Sequence, residues 1–140
     1  MDDGQVMQAA ARRYAAWFET LSPAGIGELD RLVAPSVRFR DPFNDVVGID
    51  AMRRVLEKMF EDVPDTRFTI TDIGFGSVAY LRWHFQGGKW SADGVSEIAF
   101  DAEGRVTSHI DHWDSGRDIY AKLPVVGAVI RLIRRKIAAP

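Results

Sequence analysis

RFTITDIGFGSVAYLRWHFQGGKWSADGVSEIAFDAEGRVTSHIDHWD, residues 67–114, is the stretch that decides the fold. Four segments, 67–75, 77–86, 91–101 and 105–114, are rich in β-branched and aromatic residues. Glycine-bearing turns separate them: 74–76, Gly87-Gly88 and Asp101-Ala102-Glu103-Gly104. Such spacing predicts strands joined by hairpins, and connections this short force neighbouring strands to run antiparallel.

Upstream the period changes. Met7, Ala10, Tyr14, Trp17, Phe18 and Leu21 recur at three- and four-residue steps and predict an amphipathic helix over 5–21. Ser22-Pro23-Ala24-Gly25 ends it, and a second helix is predicted over 26–34, stopping before Pro35. Val37-Arg38-Phe39-Arg40 alternates as a strand, after which Asp41-Pro42-Phe43-Asn44-Asp45 turns the chain. A third helix is expected from Asp50, read as its N-cap, through Met52, Val55, Leu56, Met59 and Phe60. Helices first and an antiparallel meander second make the class α+β. No repeat, low-complexity stretch or linker interrupts the chain, so 1–140 reads as one domain, with a core of about 5–118 and a helical appendage of about 119–138.

Composition narrows the functional classes. With 46% apolar and 27% charged residues, the chain has ordinary globular composition. It has no Cys, which removes disulfides, thiolate nucleophiles and thiolate-bound metals. No run has the length of a membrane span and no signal peptide opens the chain, so the expected location is cytoplasmic. A net charge of −2 gives no reason to expect nucleic acid as a partner. That charge is unevenly spread: residues 1–118 carry −7 and residues 119–140 carry +5.

Alternation along a strand sends side chains to opposite faces. The last strand thus presents Thr107, His109, Asp111 and Trp113 on one side and Val106, Ser108, Ile110 and His112 on the other. Ala79, Leu81, Trp83 and Phe85 oppose Val78, Tyr80, Arg82 and His84 in the same way, and Gly94, Ser96, Ile98 and Phe100 oppose Val95, Glu97 and Ala99. Both faces carry large apolar groups. One face would take the helices and a pocket; the other needs a partner, and a homodimer is the economical expectation. His109 and Asp111 sit beside an indole on one face, the setting of a general base. The same residues could also form a plain ion pair at a wet sheet end. Tyr14 could be a core tyrosine, and Asp41 could bond its own turn. No phosphate-cradling loop, nucleophile elbow or zinc-helix motif is present, so no cofactor and no metal are expected.

The order of elements resembles the nuclear transport factor 2 fold. Tyr14 in the first helix, Phe39-Arg40-Asp41-Pro42-Phe43 before a Gly48-led helix, and Trp113 in the last strand carry the resemblance. The nearest families are the ketosteroid isomerases, the polyketide cyclases and limonene-epoxide hydrolase. The resemblance implies a cone: a strongly bent antiparallel sheet closed by three N-terminal helices around an apolar pocket, and a dimer. It implies that Asp41 is the proton-shuttling carboxylate, Tyr14 the oxyanion-hole tyrosine and Trp113 a pocket residue. Ser96 stands where the isomerases keep a protonated Asp, which speaks against steroid isomerisation itself. The cyclases and the epoxide hydrolase direct attention to Asp111 instead, with His109 as its acid–base partner. The hydrolase's Arg has only Arg82 to match it, and Arg82 falls on the other face.

Three functions therefore stand side by side. One is proton transfer on a lipophilic carbonyl compound, with Asp41 or Asp111 as base, Tyr14 as donor, and Phe18, Trp83, Ser96, Ile98 and Trp113 around the substrate. Another is epoxide opening through Asp111. The third is a non-catalytic ligand carrier or dimeric adaptor. The basic segment reads as a helix interrupted at Pro124, with Val125, Val126, Val129, Ile130, Ile133 and Ile137 as one stripe. It could be a lid on the cone or dimer partner, a solvated face, or a helix that contacts a membrane surface.

Overall fold

A computed structural model describes residues 2–138, apart from the side chain of Ala121. Residues 1 and 139–140 of the expected 1–140 domain lie outside the described residues.

Helix α1 spans Asp3–Glu19. It starts two residues earlier than the apolar stripe predicts because Asp2 closes a capping box: its carboxylate accepts from the Gln5 amide, and the Gln5 side chain accepts from the Asp2 amide. The predicted second helix is corrected. Pro23–Glu28 is a 3₁₀ turn, α2 is only Leu29–Leu32, and Val33 and Ala34 already belong to strand β1, Val33–Arg40. Pro35 disfavours a helical Ala34, so the chain extends before the proline.

The turn at Asp41–Asn44 does not merely leave the sheet. It returns the chain as a short strand β2, Asp45–Val47, paired antiparallel with β1. Helix α3, Ile49–Asp62, is capped by Gly48, not by Asp50. Gly48 has φ of +100°, a conformation that favours glycine, while Asp50 sits in the first turn and bonds Arg53.

Strands β3 (Arg67–Phe75), β4 (Ala79–Gly87), β5 (Trp90–Phe100) and β6 (Val106–Trp113) form the predicted meander. The six strands make one curved, open sheet in the order β2-β1-β6-β5-β4-β3. Its expected antiparallel character has one exception, since β1 runs parallel to β6. Hairpin geometry dictates direction only for strands joined by short turns, and β1 reaches β6 through the whole intervening chain.

Two bulges interrupt the antiparallel pairings, and the β1–β6 pairing also shifts register between Val33 and Arg38. Pairing steps from Ile70↔Trp83 to Asp72↔Arg82, leaving Thr71 extra, and from Ala99↔Ser108 to Phe100↔Val106, leaving Thr107 extra. The second corrects the strict alternation of β6: Val106 and His109, expected on opposite faces, are both buried. Beyond the bulge the alternation holds. Ser96 pairs with Asp111, Ile98 with His109 and Gly94 with Trp113, so these six side-chain positions share the concave face.

Helix α1 lies across β3, β4 and β5, and α3 packs on β1. Tyr14, Leu29, Met52, Leu81, Ile98 and Val106 form the centre of the core. The outer face is more open. Tyr80 and Arg82 are exposed there, and two histidine–carboxylate pairs, His84–Asp93 and His112–Glu97, span it at 2.9 Å each.

After β6 come α4 (Ser115–Asp118), a 3₁₀ turn (Tyr120–Lys122) and α5 (Pro124–Ile137), with Pro124 opening the last helix. Among the described residues no helix is long and apolar enough to cross a membrane.

Candidate active site

The bend of the sheet leaves a cavity of about 510 Å³ between its concave face and the helices. That volume lies within the roughly 300–1,000 Å³ usual for small-molecule sites. Its wall is aromatic and aliphatic, with Phe39, Phe68, Met59 and Leu81 among the contributors that sequence reasoning did not single out. Their apolar periodicity marks them only as core; facing a void is a property of packing.

Of the residues singled out, Phe18, Asp41, Trp83, Ser96, His109, Asp111 and Trp113 reach the cavity wall. Tyr14 and Ile98 do not. Ile98 is fully buried in the core, paired across the ladder with His109, and does not face the cavity where a substrate contact was expected.

A continuous hydrogen-bond chain crosses the floor of the cavity. The Trp83 indole N–H donates to Ser96 Oγ at 2.9 Å, and the Ser96 hydroxyl donates to Asp111 Oδ1. His109 Nε2 reaches the same Oδ1 at 2.7 Å, and His109 Nδ1 meets the Tyr14 hydroxyl at 2.7 Å. A carboxylate can only accept, so Nε2 donates to Asp111, and in the neutral imidazole Nδ1 then accepts from the Tyr14 hydroxyl. Every bond Asp111 receives from the described residues ends on Oδ1. Oδ2 therefore keeps its lone pairs for whatever enters the cavity.

Packing holds this chain rigid. His109, 3% exposed, sits between the Phe18 and Phe39 rings at centroid distances of 5.5 and 4.9 Å. Glycine at 94 lets the Trp83 ring approach: a Cβ there would lie 2.4 Å from the indole and 2.8 Å from the His112 carbonyl oxygen.

Tyr14 has a different place from the one its resemblance implies. It is 1% exposed and spends its hydroxyl on His109, behind the wall, so it reaches the cavity only through that imidazole. Burial, and then the charge of Asp111, push the Tyr14 hydroxyl well above its ordinary value of 10.0. It therefore stays a donor. The folded state holds this proton more tightly than the unfolded chain does. The resulting stability is complete below about pH 10 and is lost as pH rises toward the folded value. Tyr14→Phe should remove that part of the alkaline decline, measured by denaturant titrations between about pH 8 and 11; an unchanged decline would assign it to other groups.

Asp41 is also on the wall, but its carboxylate is committed to its own turn. Oδ1 accepts from the amides of Phe43 (2.8 Å) and Asn44 (2.7 Å), and the Asn44 side-chain amide lies 3.1 Å from each oxygen. Arg82 is exposed, pairs with Asp72 and Val95 in the ladder and is absent from the cavity wall.

The fold and this pocket define a small α+β cone with a hydrogen-bonded histidine–aspartate pair on its floor. The chain belongs to the SnoaL-like domain family, whose sequence model matches residues 14–109. Among solved structures it is similar to a candidate isomerase of the SnoaL-like family from Agrobacterium tumefaciens, at TM-score 0.63 and 22% identity, over 79% of this chain and 98% of that one. It is also similar to a candidate ketosteroid isomerase from Kribbella flavida (TM-score 0.63, 21% identity, 97% and 90% covered). A candidate polyketide cyclase from Streptomyces antibioticus gives TM-score 0.65 at 16% identity, over 76% and 92%. At these identities the likeness is one of fold. No protein of curated function matches the sequence.

Proposed function

We propose that the protein catalyses proton transfer on a lipophilic carbonyl compound, isomerising or cyclising it, with Asp111 as the base. The observation that carries this reading is Asp111 Oδ2, without a partner among the described residues in an apolar cavity, its other oxygen held by Ser96 and His109. Two structural relatives bear names that point to ketone or polyketide substrates, a candidate ketosteroid isomerase and a candidate polyketide cyclase.

The step balances with the chain's own groups. Oδ2 takes a proton from the carbon next to a carbonyl, and the C–H electrons become the enolate double bond while the carbonyl oxygen takes the negative charge. Returning the proton to another carbon completes an isomerisation. Alternatively, the enolate carbon attacks a second carbonyl of the same molecule, and the new alkoxide takes the proton from Asp111. The Trp113 indole N–H, without a partner among the described residues, stands two residues from Asp111 and would donate to the developing oxyanion. His109 and Tyr14 position Asp111 and do not touch the reacting atoms.

The test is deuterium exchange at the α-carbon of lipophilic ketones and enones in D₂O, followed by NMR with the intact protein. Catalysed exchange supports the reading. Tight binding without exchange would make the protein a ligand carrier, and turnover confined to epoxides would make Asp111 a water-activating base.

The same reading includes a homodimer through the outer sheet face, where Tyr80 is exposed and Val95 and Ile110 are only half-buried. Light scattering at micromolar concentration should give twice the chain mass, and Val95→Glu should halve it. A monomer throughout would leave this face as ordinary surface.

A further inference from the structure

Helix α5 is amphipathic, but it is docked by the wrong side for a lid. Its buried residue is Gly127, and the half-buried Ile130 and Arg134 follow on the same line at three- and seven-residue steps. Arg134 reaches back to Asp114 at 3.7 Å. Most of the predicted apolar stripe points elsewhere: Val125, Val126, Val129, Ile133 and Ile137, together with Leu132, are each at least 47% exposed, and only Ile130 of that stripe turns inward. Of the three readings of this segment, a lid packed on the cone by its apolar stripe is not what the single chain shows, while a partner-covered stripe, a solvated face and a membrane-contacting helix stay open. Within the chain, α5 makes its main contacts with the Tyr120–Lys122 turn.

We propose that α5 is a docking surface for an anionic lipid bilayer. Two observations choose this occupant. Charge is the first, with +5 in residues 119–140 and −7 in the remainder. An anionic surface attracts the helix and repels the body, so the protein would approach it helix first. Two copies meeting through this helix would instead bring like charges together. Arg135 and Lys136 are exposed beside the apolar stripe, the arrangement by which a helix lies in a headgroup layer.

Position is the second observation. Ile119 lines the cavity, and Tyr120, next in the chain, is exposed and lies 5.9 Å from the exposed Phe43 ring. Phe43 in turn contacts Trp113 on the cavity wall at 5.7 Å. Exposed apolar groups thus run from the cavity toward α5. A lipophilic ligand leaving a bilayer would meet the cavity from this side, whatever chemistry follows.

Co-sedimentation of the intact protein with vesicles tests the proposal independently of any activity. Binding is expected with phosphatidylglycerol–phosphatidylcholine vesicles at low salt, and much weaker binding with phosphatidylcholine alone or at high salt. Arg135→Glu with Lys136→Glu should lower the partition coefficient on the order of tenfold or more. Val129→Glu with Ile133→Glu should lower it comparably while leaving the thermal midpoint unchanged, because both side chains are exposed. Failure of the intact protein to bind anionic vesicles would overturn the proposal, as would binding that neither pair reduces. An oligomer that Val129→Glu with Ile133→Glu splits would also overturn it, by showing that a second copy covers the stripe.

Discussion

Asp111→Asn is expected to lower kcat for α-proton exchange by about 10²–10⁴, with the fold intact. The geometry makes this substitution unusually clean. Both hydrogen bonds to Asp111, from Ser96 and His109, fall on Oδ1, and an asparagine retains a carbonyl oxygen to accept them. Its amide nitrogen takes the place of Oδ2, the atom with no partner among the described residues. The substitution thus removes the base and keeps the shape. Asp41→Asn is the matched control. That carboxylate accepts from two backbone amides and its neighbour's side chain, so its loss should weaken the turn and leave kcat within a few-fold. Single-turnover NMR exchange on both variants decides between the carboxylates. Full activity in Asp111→Asn would remove it from the mechanism.

His109→Leu should be the most destabilising polar-to-apolar change at the site. It leaves the Tyr14 hydroxyl buried without its acceptor and takes one donor from Asp111. Stranding buried polar groups costs about 1–3 kcal/mol each, so a loss of roughly 2–5 kcal/mol is expected in denaturant titrations. Tyr14→Phe removes the stranded hydroxyl. The double variant should therefore be more stable than the sum of the two single losses predicts, by about 0.5–3 kcal/mol. Additivity would show that the 2.7 Å contact contributes nothing beyond packing. The same cycle separates positioning from contact with substrate. If Tyr14 acts only through His109, Tyr14→Phe lowers kcat by less than Asp111→Asn does and leaves KM unchanged. A raised KM in Tyr14→Phe would place its hydroxyl on the substrate.

Much of the fold was legible because its signals are local. Turn chemistry at Gly87-Gly88 and Asp101–Gly104 and the β-rich segments between predict the meander that β3 to β6 form. Boundaries failed where a local competitor acted: Pro35 extended β1 backward, and Asp2 and Gly48 capped helices away from the apolar stripes. Strand β2 was missed because three residues, with only Val46 half-buried, leave no period to read.

The sequence by itself determined that helices precede an antiparallel meander, that His109, Asp111 and Trp113 share one strand face, and that the acidic body ends in a basic amphipathic segment. Each follows from chemistry repeated along the chain, at a period of two, of three to four, or in a run of like charge. Only the tertiary structure decided which aspartate keeps an oxygen without a partner among the described residues, that Tyr14 stands behind His109, that β1 lies parallel to β6, and that most of the apolar stripe of α5 faces outward. Periodicity says which side of its own element a residue takes. A bond such as Tyr14–His109, made across 95 residues, depends on how separate elements pack and where a bulge shifts the register, and no local window contains that information.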